Sequence, residues 1–275
     1  MNNFLLSDSN IKLKSSILTI LIISIEYILS FILHINFLNY IWILMIGAYF
    51  FVFSIINFRS SIYEALSLLL FPIIYIFSFS FFLFRILFSI LHFGLLSFLG
   101  INIIFILFGF TLYMIFINIS IIHASFIEDV PLAQFTYTIN YILSLIVGYI
   151  FFTFVVFIGT NTFPISLIYA FLGGLIITSQ IMWGLRYSLS NIILYSIISG
   201  FILMYSSFIL LFYPVLIFIK ALFLSIELYI YNGIIIHYIK GSLNKKIFFE
   251  YIIILIIISL FLILFTSWGI AGKIL

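Results

Sequence analysis

The chain has no cysteine and almost no charge; only 6% of its residues are Asp, Glu, Lys or Arg. Without cysteine there is no disulfide framework, no thiolate metal site and no cysteine nucleophile. So little charge excludes an ordinary soluble domain, in which about a quarter of residues are charged. The formal net charge of +3 is small and scattered, so nothing supports a nucleic-acid partner. Residues 1–14 carry Asp8, Lys12 and Lys14 but no small-residue cleavage site and no Arg-rich amphipathic presequence. Insertion into a membrane is therefore expected to rely on the spans themselves.

What the chain does have is apolar length. Hydrophobic residues make up 67% of it and the mean hydropathy is +1.47. Nearly every window of about 19 residues passes as a membrane-span candidate. Strands of a membrane barrel would alternate polar and apolar residues, and these segments do not. The expected fold is an all-α polytopic membrane protein with about eight or nine hydrophobic helices, surrounded by lipid. The apolar set is rich in Phe (37) and Tyr (18). Phe, Ile, Tyr and Asn have A/T-rich codons, which points to an A/T-rich gene. Lysine is A/T-coded too, yet scarce, because insertion disfavours it. An organellar genome and a multi-pass place in the mitochondrial inner membrane are the expectation, with a reduced bacterium as the alternative.

Span boundaries are weakly marked. A first span is expected over roughly 15–37, holding Glu26 and His34, and a second over roughly 40–57. Arg59 to Glu64 reads as a wet loop. An apolar stretch over 65–99 is too long for one upright span, and Pro72 is expected to kink it or end a first piece. Arg85 and His92 within it share a helix face at a spacing of seven. Gly100 and Asn102 open a span to about Ile122. His123 to Pro131 reads as the most polar loop. His123, Glu128 and Asp129 invite a metal reading, but adjacent acids before a proline fit a solvated turn and helix start better. No cofactor is expected. Further spans follow over roughly 135–158, 165–238 (softly broken by Gly173-Gly174, Gly200 and Pro214) and 247–268. The whole is expected to be one membrane domain: N-terminal helices over 1–163, a helix pair over 164–240, and an extra C-terminal span over 241–275.

The region 179–238 holds one arginine, Arg186, and, forty-one residues later, one carboxylate, Glu227. A charge at membrane depth is costly and marks a functional-site candidate by default. On a helix, Ser179, Arg186 and Ser190 would share a stripe, and Ser188, Asn191, Tyr195 and Ser199 an adjacent one. Such a flank must face protein or water, because lipid cannot satisfy it. Arginine is a fixed positive charge rather than a proton carrier. Lys220, Glu227 and Tyr231 would share a stripe on the next helix, with Glu227 as the titratable group. A structural reading stands beside this one: Arg186 snorkelling from a helix end, and Glu227 pairing with Lys220 or Arg186 to orient two helices.

These residues resemble the C-terminal helix pair of subunit a, the proton-channel subunit of F-type ATP synthases. That family carries a Leu-Arg-Leu-x-x-x-Asn run; this chain has Leu185-Arg186-Tyr187-Ser188-Leu189-Ser190-Asn191, with the asparagine one place late. The family continues with a proline-led helix and a Gln-Ala-Tyr-Val-Phe run. Here Pro214 leads, and Glu227-Leu228-Tyr229-Ile230-Tyr231 takes the matching place, with Glu227 instead of glutamine. The match covers about 60 of 275 residues, and this chain adds a basic loop and a further span. The resemblance implies a long, tilted helix pair wrapped around the rotor ring (subunit c). It implies that Arg186 faces the ring carboxylates, and that Ser190, Asn191, Glu227, Asn232 and His237 line aqueous half-channels. It also implies other membrane subunits of the complex as partners.

Two alternatives stay open on the sequence. Ser225-Ile226-Glu227-Leu228 resembles the membrane glutamate of the small hydrophobic subunits of respiratory complex I, although a pump subunit there should carry several mid-span lysines. The tail Phe265 to Gly269 resembles the end of cytochrome c oxidase subunit 3, whose His and Glu motifs are missing here.

Overall fold

The computed structural model of the chain describes residues 16–17, 19–25, 62–82, 95–127, 133–160, 162–185 and 187–266. All secondary structure among the described residues is helical. A helical stretch over 19–25 precedes seven longer helices. These are α1 (Ile62–Phe81), α2 (Leu95–Ile127), α3 (Ala133–Gly159), α4 (Phe163–Gly184), α5 (Leu189–Leu211), α6 (Ile217–Ile239) and α7 (Lys245–Leu264). Six of the segments are long and apolar enough to cross a bilayer: Asn102–Ile122 within α2, Phe135–Gly159 within α3, and α4 to α7 in full. The protein is thus multi-pass. Of the first expected span only 16–17 and 19–25 are described; Glu26, His34, the second expected span, Arg59, Arg85, His92, Glu128 and Asp129 lie outside the described residues.

The chain divides into two compact units, 1–143 and 144–275. In the first, α1 packs on α2 through rings. Phe79 stacks on Phe108 at 4.0 Å between centroids, and Tyr75 lies 5.4 Å from Phe108. Rings offset in this way add about 0.5–1.5 kcal/mol per pair beyond burial. Helix α1 continues through Pro72 rather than ending there. Helix α2 likewise runs on to Ile127, so the first part of the expected His123–Pro131 loop is helical, as are the last residues of the expected 59–64 loop. A buried Asn118 in α2 donates its amide to Asn140 of α3 at 3.0 Å. Such an interhelical bond contributes about 0.6 kcal/mol in a membrane protein.

The second unit is built around α5, which packs on α4 along a seam of small residues. On α4, Ser166, Ala170, Gly174 and Thr178 recur every four residues and are buried. On α5, Ser196, Ser199, Gly200 and Ser207 face them. A Cβ placed on Gly174 would lie 3.0 Å from the Cα of Gly200, and one on Gly200 would lie 2.8 Å from the carbonyl oxygen of Phe171. The two backbones touch, which only glycine permits here. Lipid tails are as apolar as leucine, so close van der Waals packing of this kind, not hydrophobic burial, holds membrane helices together. Gly173-Gly174 and Gly200 therefore do not break the helices, as the sequence reading expects. They sit mid-helix: Gly174 and Gly200 let the two backbones touch, and Gly173 takes the Phe151 ring of α3.

The breaks fall elsewhere. Helix α4 ends at Gly184, with the Leu185 N–H turned back to the Met182 carbonyl at 3.1 Å. Ser188 is extended, in the N-cap position of α5. The 164–240 region thus holds three helices of 22, 23 and 23 residues rather than one long pair. The second break, over 212–216, does fall at Pro214, whose ring cannot continue a helix interior. The Thr162–Phe163–Pro164 start of α4 places proline in the first turn, where its missing N–H costs nothing. Helix α7 starts with Asn244 accepting from the Ile247 N–H at 2.9 Å. It rests on α6 with its Tyr251 ring over Gly233, where a Cβ would collide with the tyrosine ring and hydroxyl.

Candidate functional site

Between α5 and α6 two polar side chains of α6 reach across the interface. Glu227 is the eleventh residue of the 23-residue α6. At 1.5 Å per residue it lies about 15 Å from the start of the helix, near the middle of a bilayer core about 30 Å thick. An ionisable group at that depth costs about 2.5–3.5 kcal/mol on insertion scales, so its environment matters. Ser206 of α5 donates its hydroxyl to Glu227 Oε1 at 2.6 Å. The other oxygen, Oε2, is buried and has no hydrogen-bond partner among the described residues. One turn further along α6, the Tyr231 hydroxyl donates to the Tyr195 backbone carbonyl of α5 at 2.9 Å. The two ties clamp α5 to α6 through long side chains.

Glu227 makes its polar contact with Ser206, not with Lys220, one of the two partners that the structural reading offered. Lys220 is itself buried, one turn into α6 and two turns before Glu227 on the same face.

The other predicted site residues divide. Asn232 is fully buried; its amide donates to the Leu228 carbonyl at 2.9 Å, and its Oδ1 has no partner among the described residues. It stands about 140° around the helix from Glu227, so it does not join the same face. His237 lies in the last turn of α6, where its Nδ1 meets the Ser242 hydroxyl at 2.9 Å. That places it at the membrane end, on the α6–α7 turn. Ser190 is exposed in the first turn of α5, with its Oγ 3.4 Å from that of Ser188, and Asn191 is half-buried beside it. Arg186 lies outside the described residues, in the link between α4 and α5.

The expected stripe of Ser179, Arg186 and Ser190 on one helix does not form, because Ser179 belongs to α4 and Ser190 to α5. Ser179 is buried and bonds the Ile176 carbonyl of its own helix at 2.7 Å. Ser, Asp and Asn compete with helical hydrogen bonds and favour helix starts. Ser188-Leu189-Ser190-Asn191 is such a start signal, not a polar flank. Of the second expected stripe, Asn191, Tyr195 and Ser199 do share α5, and Ser199 accepts from Thr178 of α4 at 2.8 Å. In the same link, burial pushes the Tyr187 phenol above its ordinary value.

Sequence reasoning missed Ser206, the residue that holds Glu227. It sits twenty-one residues before the carboxylate, and the turn over 212–216 brings the two to one depth, but spacing alone does not single it out among the serines of α5. Chemically, the site presents a mid-membrane carboxyl group with one oxygen fixed and one open, and a tyrosine hydroxyl one turn away. No family model, no curated protein and no solved structure matches the chain.

Proposed function

We propose that the chain is a proton-translocating membrane subunit in which Glu227 carries the proton at mid-membrane. The observation that supports this most is the pairing of Glu227 with Ser206 across two apolar spans, with Oε2 buried and open. A carboxylate that served only to tie helices together would be expected to have both oxygens engaged, since unsatisfied buried acceptors are costly. Tyr231, on the contact to Tyr195, lies between Glu227 and the α5 start with Asn191 and Ser190, and these groups form the access route from that end.

Within this class, the proton-channel subunit of F-type ATP synthase is the specific form the sequence resembles, acting beside a rotor ring in the mitochondrial inner membrane. Arg186 lies outside the described residues, so Glu227, rather than the arginine, anchors the proposal. Affinity isolation of the full chain from its native membrane tests the specific form. Recovery with a rotor ring and peripheral stalk is the expected result. Recovery with complex I or cytochrome oxidase subunits would overturn the ATP synthase reading while leaving the proton-carrying role of Glu227 to be judged by flux.

A further inference from the structure

The connectivity of the second unit assigns each link to one end of its helix bundle, which the sequence alone does not do. Phe163 at the start of α4 meets Phe208 near the end of α5, with centroids 5.7 Å apart, and a Cβ on Gly159 would lie 2.9 Å from Leu211. The end of α3, the start of α4 and the end of α5 therefore share one end. Tyr231 on Tyr195 and Tyr251 beside both Tyr229 and His237 show that α5, α6 and α7 continue to alternate in direction. The 185–188 and 240–244 links then lie together at one end, and the 160–162 and 212–216 links at the other.

The ends differ in charge. The first holds Lys240, Lys245 and Lys246, all exposed, around a turn closed by Gly241 at φ 65°. The 160–162 and 212–216 links hold no Lys or Arg. Lys220 stands near that second end but is buried inside α6, and Lys273 follows α7 outside the described residues. Short loops rich in Lys and Arg stay on the side from which a protein is inserted, and basic clusters beside a span bind anionic headgroups there.

We infer that the end of the second unit bearing the 185–188 and 240–244 links faces the compartment of synthesis, with Lys240, Lys245 and Lys246 seated in the anionic headgroup layer of that leaflet. The inference stands independently of the proton-carrying role. Because the chain has no cysteine, single-cysteine variants report sidedness without background. Ser242→Cys and Ser188→Cys are placed at one end, Thr160→Cys and Pro214→Cys at the other, all on exposed residues. Two sites per end keep the test decisive if one variant fails to fold.

A membrane-impermeant maleimide added to the outside of sealed native membranes should label Thr160→Cys and Pro214→Cys at once. It should label Ser242→Cys and Ser188→Cys only after permeabilisation. The reverse pattern, or equal labelling of both ends, would overturn the orientation. For the headgroups, the purified full chain should retain phosphatidylglycerol over phosphatidylcholine several-fold. Replacing the three lysines together by glutamine should erase that preference. Equal retention by the unaltered chain, or a preference that survives the triple replacement, would overturn the headgroup contact.

Discussion

Helix α5 makes two contacts built in opposite ways. Against α4 it packs backbone to backbone over Gly174 and Gly200, with no side chain longer than threonine in the polar tie between Thr178 and Ser199. Against α6 it is held through Glu227 and Tyr231, long side chains that span a wider gap. The first contact has no room for chemistry. The second keeps two helices far enough apart for a carboxyl oxygen to remain open between them. A membrane protein rich in Phe and Ile thus uses small residues where it needs rigidity and long polar ones where it needs a reactive group. The two sets lie on different faces of one helix.

The sharpest way to break this contrast is to close the tight seam's one option. Gly200→Leu should prevent the α4–α5 hairpin from forming, since even a Cβ meets the Phe171 carbonyl oxygen at 2.8 Å and backbone cannot step aside cheaply. Overpacking of this kind costs about 1–3 kcal/mol or more, and thermal unfolding in detergent should show it as the largest loss of any single change considered. A similar insertion at α5–α6, Ser206→Leu, should cost less in stability while abolishing the carboxyl contact. If the two changes were equally destabilising, the contrast between the interfaces would be lost.

Ser206→Ala comes next. It removes the donor to Glu227 Oε1 and should cost about 1–2 kcal/mol, toward the upper end measured for interhelical bonds in membranes. Tyr231→Phe should cost about 0.6 kcal/mol and slow proton access without abolishing it. Thr178→Val, on the tight seam, should have the smallest effect, about 0.6 kcal/mol or less, and none on proton movement, because the touching backbones hold that seam without it. Unfolding midpoints and proton uptake measured side by side separate these outcomes.

Much of the architecture is legible in the sequence. The spans beginning at Asn102 and Phe135, the proline-led start of α4, the break at Pro214 and the basic turn before α7 follow from hydropathy and from the backbone chemistry of proline. Glycine is where the reading goes astray. In a soluble helix an internal glycine is a weakness of about 1 kcal/mol, so Gly173-Gly174 and Gly200 read as soft breaks. In a bilayer, where close approach is the adhesive, Gly174 and Gly200 mark the tightest contact, and Gly173 takes the Phe151 ring. The true break, over 185–188, carries no proline; its signal is the serine-rich helix start, which in isolation also resembles a polar flank. Glu227 itself is visible as the one carboxylate between Arg186 and the basic turn. Its partner Ser206 is not, because serine is frequent in this chain and several described serines bond a carbonyl of their own helix, as Ser78, Ser80 and Ser225 do. Only the pairing of helices shows which serine faces across. Asn118 and Asn140 escape the sequence reading for the same reason.

The central claim is that Glu227 carries a proton, and proton flux through native membrane vesicles containing the full chain tests it most directly. Glu227→Gln keeps the size of the side chain and a hydrogen-bond acceptor for Ser206 but cannot ionise. The account predicts that vesicles with Glu227→Gln assemble normally and lose proton flux by at least an order of magnitude, whereas Thr178→Val vesicles conduct as the unaltered protein does. Unchanged flux in the Glu227→Gln vesicles would contradict it and leave Glu227 as a tie between two helices.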